Sequence, residues 1–222
     1  MKRLIVVCEG PTEKEFCRDL LIPYFLKRDI VIEAPTIKHS GGGIVPWRIL
    51  KSQVENHLNE GDAVVTTFID YYGIREEHEF PGWEAAKGAP HNIDKVRIIE
   101  QAMRDDIADE CRHRFIPHLQ LHEFESLLFS DVDVFAQNFE AGEMDLEKLK
   151  KVRVEYPNPE DINNSPKTAP SVRIAEAVKS YRKVLYGNCL AMDIGLEKMR
   201  QSCPHFNEWL SELEGDYRIH NY

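Results

Sequence analysis

The chain has 222 residues, 42% of them hydrophobic, and a formal net charge of -10 at pH 7. That length allows one large domain, or one domain with a small appendage, around an ample core. The acidity argues against gripping nucleic acid by overall charge, because phosphate binding draws on Lys and Arg; it does not argue against a nuclease whose clustered acids await divalent cations and whose groove a basic partner supplies. Most of the remaining acids read as solvated surface.

Met1-Lys2-Arg3 and the short apolar run behind it are too brief for a signal peptide. No stretch approaches the ~20 apolar residues of a membrane span, so the expectation is a cytoplasmic protein with no membrane partner. The five cysteines are odd in number and lack CxxC spacing. They are expected to be reduced and mostly buried, not a disulfide framework or a zinc knuckle.

In chain order, Leu4-Ile5-Val6-Val7-Cys8-Glu9-Gly10-Pro11 reads as a strand covered on both faces, with a carboxylate at its end and a tight turn. Thr12 with Glu15 three residues on fits a capping box. Phe16, Leu20 and Leu21 share a face of the helix that follows, which is interrupted near Pro23. Residues 30–32 and 36–37 read as a second strand, leading to Lys38-His39-Ser40 and Gly41-Gly42-Gly43. The glycine run lacks the Lys-Ser/Thr ending of a P-loop; it either admits a phosphate to the backbone or is a flexible connection. Trp47, Leu50, Val54 and Leu58 recur at helical spacing after Pro46. A β-branched run from Ala63 to Ile69 then stops at Asp70.

Residues 71–91 form a loop of a length that is usually functional or disordered. Its Tyr71, Tyr72 and Trp83 are suited either to stack on bases or to pack beneath it. Asn92 caps a helix carrying Ile93, Val96, Ile99 and Met103. A fourth strand over 115–121 runs into His122-Glu123-Phe124-Glu125-Ser126-Leu127-Leu128-Phe129, the first turns of another helix. From Ser130 the alternation stops. Short helical pieces over 132–139 and 145–151 precede a polar stretch over 156–170; Ser171 caps a helix with Ile174, Ala177, Val178 and Tyr181, and helices over 195–202 and 205–213 close the chain.

Strands alternating with helices imply an α/β, Rossmann-like fold: a mostly parallel sheet of about four strands flanked by helices over 1–130, with a helical extension over 131–222. Strand ends of one polarity share one edge of such a sheet, so Glu9, Asp70 and Glu123 are expected to converge where open α/β folds keep their ligand sites. Carboxylates without a Cys/His cage suit Mg²⁺ or Mn²⁺. Glu9, Asp70 and Glu123 are then the catalytic set, with Glu9 as general base or metal-adjacent group and Asp70 with Glu123 as principal ligands. Glu125 is an alternative ligand, and Glu13, one helical turn beyond Glu9, faces the same pocket. Lys14, Arg18, Lys38, Lys87, Lys167 and Arg173 are candidate phosphate contacts, or else solvated surface. His113, His118 and His122 read either as ordinary packing, with His122 orienting a site carboxylate, or as a transition-metal set.

The strand-Glu-Gly-turn-helix opening and the later strand ending in Asp70 resemble the Toprim domain of topoisomerases, primases and nucleases of the overcoming-lysogenization-defect class. More closely, Val7-Cys8-Glu9-Gly10-Pro11-Thr12-Glu13, Asp70-Tyr71-Tyr72-Gly73, His122-Glu123-Phe124-Glu125 and Ala169-Pro170-Ser171 resemble a bacterial Toprim-like family designated domain of unknown function 4276. The resemblance implies a metal-dependent endonuclease acting on DNA or RNA, with an ABC-type or other ATPase as partner in anti-phage defence; a homo-oligomer is left open. Toprim domains carry Asp-x-Asp, whereas Tyr71 and Tyr72 follow Asp70 here, so the resemblance asks Glu123 or Glu125 to replace the second aspartate. The alternative is a catalytically inactive subunit that binds a partner, or a small nucleotide-hydrolysing enzyme.

Overall fold

The structure, a computed structural model, describes residues 1–38, 43–162, 165 and 167–216. His39, Ser40, Gly41 and Gly42, and with them most of the glycine run, lie outside the described residues, as do Asn163, Asn164 and Pro166 of the polar stretch. The chain divides into two compact units, Met1–Gln120 with Ser211–Tyr222, and Leu121–Leu210.

The first unit is α/β, built on a parallel sheet in the order β2-β1-β3-β4, with β5 also paired to β3. Its strands are β1 (Lys2–Cys8), β2 (Ile30–Glu33), β3 (Val64–Asp70), β4 (Phe115–Ile116) and β5 (Leu119–Gln120). Every residue of β3 and the last five of β1 are buried, as strands sandwiched between helices require. The β1–β3 ladder runs from Leu4 opposite Val64 to Cys8 opposite Phe68. Because β1 has β2 on one side and β3 on the other, the strand order reverses between β1 and β3, and the carboxyl edge there is the crevice that open α/β sheets use for ligands.

The single fourth strand expected over 115–121 is two short strands in line, both on β3. Pro117 sits between them and cannot donate to a ladder. Across the gap the Thr67 hydroxyl replaces the ladder, donating to the His118 carbonyl and accepting from the His118 amide, each at 2.9 Å. The second strand likewise ends at Glu33, and Thr36 rejoins β1 only through one bridge to Cys8.

Helix α1 (Pro11–Phe16) begins one residue before the expected capping box, with Pro11 in its first turn. Glu13, not Thr12 with Glu15, makes the capping bond, its carboxylate accepting the Gly10 amide at 2.9 Å. Pro23 does not break this helix. A π-turn over Cys17–Leu21, where the Ile22 amide reaches back to the Cys17 carbonyl, makes room for a residue with no amide hydrogen, and α2 (Ile22–Leu26) continues the run. Helix α3 (Trp47–Asn59) buries Trp47, Leu50, Val54 and Leu58 as its spacing predicts.

The 71–91 loop carries structure of its own. It holds 3₁₀ turns over Tyr71–Gly73 and Glu76–His78 and a short helix, α4 (Trp83–Lys87). Gly82 has φ +76°, and a Cβ there would stand 2.9 Å from that of Ala102 in α5 (Asn92–Asp105), so only glycine lets the loop lie this close. Helix α6 (Asp109–Arg112) leads into β4.

The second unit is helical. It contains 3₁₀ turns over Phe124–Ser130 and Val132–Val134, then α7 (Phe135–Asn138), α8 (Leu146–Glu155), a turn over Pro159–Asp161, α9 (Pro170–Ala177), α10 (Lys183–Ile194) and α11 (Leu196–Ser202). Helix α12 (Pro204–Asp216) starts here, and its residues from Ser211 belong to the first unit. Helix α10 has no counterpart in the sequence reading. The α-helix expected from His122 is instead a 3₁₀ run in which all seven residues from Phe124 to Ser130 are buried. Among the described residues, no helix is long and apolar enough to cross a membrane.

Replacing Thr67 by Val should lower the unfolding free energy by about 1–3 kcal/mol, because the buried His118 amide loses its acceptor. Urea denaturation measures it; a change below ~0.5 kcal/mol, the size of a neutral surface substitution, would show that the hydroxyl does not bridge the gap.

Candidate functional site

In the first unit, β1 and β3 deliver one acid each to the same edge. Glu9 follows the last residue of β1 and its amide donates to the Phe68 carbonyl at 3.1 Å, extending the ladder one step beyond Cys8. Its carboxylate Oε2 accepts the Asp70 amide at 3.0 Å. Glu9 is half-buried and Asp70 is buried. Gly73 closes the 3₁₀ turn after Asp70, and a side chain grown there would come within 3.7 Å of Glu9 Oε1. Thus Glu9-Gly10 and Asp70-Tyr71-Tyr72-Gly73 are neighbours in space. Tyr71 is half-buried, and burial pushes its phenol pKa up; Tyr72, where Asp-x-Asp would put its second aspartate, is exposed. Glu13 is buried one turn along α1 and is occupied as the helix cap.

Glu123 and Glu125 belong to the second unit. Glu123 Oε2 accepts the Ser171 amide at 2.9 Å, in the first turn of α9, whose cap residue Ala169 has no side-chain acceptor of its own. The expected Ser171 cap is therefore a cap supplied from a distance, and it ties His-Glu-Phe-Glu to Ala-Pro-Ser within the unit. Glu125 is fully buried and pairs with Lys183 Nζ at 2.9 Å, the ammonium side chain being 37% exposed. The neighbouring Tyr181 phenol is pushed up, first by its own burial and then by the Glu125 charge. Glu160, also buried, accepts the amides of His205 and Phe206 at 2.8 and 3.0 Å and so caps α12; burial pushes its pKa up and those amides act against the rise.

Sequence reasoning missed Lys183, Tyr181 and Glu160. A charge inside the apolar run Phe124 to Phe129 signals that Glu125 needs a buried partner, but nothing local says which cation provides it.

The six cations fall apart in role. Lys14 and Arg18 line one cleft of the first unit with Pro11, Glu15, Ile22, Ala34 and Thr36. Arg18 is bound bidentately by Asp19, both contacts at 2.7 Å. Lys38 is exposed, its backbone held by Gln53. Lys87 is exposed and bridges Glu84 at 2.7 Å and Glu76 at 3.2 Å, a surface network that competes with phosphate. In the second unit Lys167 is exposed, while Arg173 braces the fold, donating to the Thr168 carbonyl at 2.8 Å and lying 5.2 Å from the Tyr156 ring. His113 is exposed, whereas His118 is buried beside Phe68 and Glu100.

Fold and acids together define an α/β protein of Rossmann-like arrangement with two carboxylates where its strand order reverses. The chain belongs to the family described as domain of unknown function (DUF4276), whose model matches residues 8–214. No curated protein and no solved structure matches it.

His122 occupies the left-handed region at φ 63° and is 1% exposed. Burial lowers its pKa from 6.5 to about 4, against the opposing pull of a hydrogen bond to the Glu160 backbone. As pH falls between those values the unfolded chain takes up a proton that the folded chain refuses, so stability present above pH 6.5 is progressively lost, by about 2–3 kcal/mol at pH 4.5. In His122→Asn, a residue that tolerates the same backbone, denaturation at pH 7 and 4.5 should show a correspondingly smaller loss; equal losses in both proteins would mean that the imidazole is not held neutral.

Proposed function

We propose that the chain is a metal-dependent nuclease of Toprim type, hydrolysing phosphodiesters of DNA or RNA with Mg²⁺ or Mn²⁺. The observation that carries this reading is the pair Glu9 and Asp70, one at the carboxyl end of each of two adjacent central strands, locked together by the Asp70 amide on the Glu9 carboxylate. The donor set fits the group. Mg²⁺ takes hard oxygen ligands, and one or two carboxylates with water and substrate phosphates usually suffice. Both acids end adjacent strands on one edge of the sheet, and a divalent cation bound between carboxylates offsets their like charge.

Asp70 is the principal ligand in this reading. Glu9, oriented through its Oε2, is the adjoining ligand or the base that takes a proton from the attacking water. The ion, when bound, polarises a phosphoryl oxygen and steadies the leaving oxyanion. The sequence resemblance to Toprim nucleases supports the same reading, and so extends it to a partner ATPase in anti-phage defence. The -10 net charge gives a polyanion no overall attraction, so this reading needs either a local basic cleft or a basic partner.

A second reading, a catalytically inactive subunit that binds a partner, is favoured by a specific observation. Tyr72 stands in place of the second aspartate, and within the second unit Glu123 is engaged by the Ser171 amide and Glu125 by Lys183.

Supercoiled plasmid and a structured RNA incubated with the protein separate the two. Nicking with Mn²⁺ or Mg²⁺ that stops in EDTA and falls at least about a hundredfold, the scale of a lost catalytic group, in Glu9→Gln and Asp70→Asn is the expected result. Gln at position 9 still offers an acceptor to the Asp70 amide, so the fold is kept while the charge is lost. Cleavage that persists in both variants would overturn the assignment of these acids, and intact substrates under all metals would favour the inactive reading.

A further inference from the structure

The cleft that Lys14 and Arg18 line in the first unit has a volume of about 550 Å³, inside the roughly 300–1,000 Å³ range of small-molecule sites. One side is helical. Lys14, Arg18 and Ile22 recur every fourth residue along the continuous run of α1, the π-turn and α2, and therefore share a face. Facing them are Ala34 and Thr36, from the segment where the Cys8 amide and carbonyl take the Pro35 carbonyl and the Ile37 amide, each at 2.9 Å. The cleft thus lies beside the end of β1, two residues from Glu9 at Pro11.

Its lining mixes apolar, polar and charged groups. Pro11, Ile22 and Ala34 supply apolar surface suited to a flat ring, and Thr36 supplies a hydroxyl. Lys14 and Arg18 give like charges one helical turn apart, an arrangement unfavourable to an isolated helix. The two are not equivalent: Asp19 neutralises Arg18 with two 2.7 Å contacts, while the exposed Lys14 ammonium has no ion-pair partner among the described residues. Glu15 also lines the cleft; a carboxylate there is an acceptor for a ligand's donors and repels a long polyanion. One cation without an ion-pair partner, some apolar surface and an acidic acceptor together suit a ligand with one phosphate, one flat ring and several hydroxyl or amino donors.

From this geometry we infer that the cleft binds a single nucleoside phosphate unit, with Lys14 on the phosphate, the apolar lining against the base and Glu15 receiving donors from the sugar or base. The inference goes beyond the hydrolysis reading and does not depend on it, because nothing in the cleft needs a metal. A free nucleotide and the phosphorylated end of a strand present the same chemistry, and the test separates them.

Isothermal titration in EDTA uses each of the four nucleoside 5′-monophosphates, a 5′-phosphorylated eight-residue oligodeoxynucleotide and the same oligonucleotide without its phosphate. The expected result is saturable binding of at least one monophosphate, weakened about tenfold or more in Lys14→Gln, as for a lost charge-assisted contact. Binding should recover in Lys14→Arg and be intact in Glu9→Gln. Retention of the phosphorylated oligonucleotide alongside the monophosphate assigns the cleft to strand ends, and its exclusion assigns it to free nucleotides; either supports the inference. No saturable binding of any monophosphate, or equal binding by Lys14→Gln and the unaltered protein, overturns it. Binding retained in Glu9→Gln while nicking is lost distinguishes this site from the acids at the strand ends.

Discussion

The Asp70 amide can reach the Glu9 carboxylate only because β1 and β3 are parallel neighbours in a register that puts Cys8 opposite Phe68. The two residues are 61 apart in the chain, and no local interaction brings them together. What does is the burial of two apolar strands, each needing a partner along its length and cover on both faces. Were the register to slip by one residue, the alternation of faces would reverse and the two acids would no longer meet edge to edge. The candidate chemistry therefore rests on sheet packing.

The second unit shows a different logic. Its acids are drawn inward to satisfy backbone and charge: Glu160 caps α12, Glu123 caps α9 and Glu125 meets Lys183. Each replaces a missing side-chain cap or balances a buried charge, and removing one partner of such a pair typically costs more than the pair contributes.

That contrast explains what was legible beforehand. The runs Leu4 to Cys8 and Ala63 to Ile69 announce buried strands by composition alone, and the acids that end them could be placed on one edge by topology. Helix α3 and α5 were equally plain, since Trp47, Leu50, Val54 and Leu58, and Val96, Ile99 and Met103, keep helical spacing. The failures lie where long-range partners decide or where two local solutions compete. Pro117 divides a strand that Thr67 then splints; Pro23 is absorbed by a π-turn; Glu13 caps α1 where Glu15 had the better motif; and Lys183, at the start of an unexpected α10, answers a charge far upstream. In the 71–91 loop, Gly82 marks close packing and not a flexible turn.

A crystal soaked in Mn²⁺ and measured at the manganese edge tests the central claim most directly. The account predicts one anomalous peak within coordination distance of the Asp70 carboxylate and beside that of Glu9, absent in Asp70→Asn. An ordered ion elsewhere, with these two carboxylates bare at saturating Mn²⁺, would contradict it.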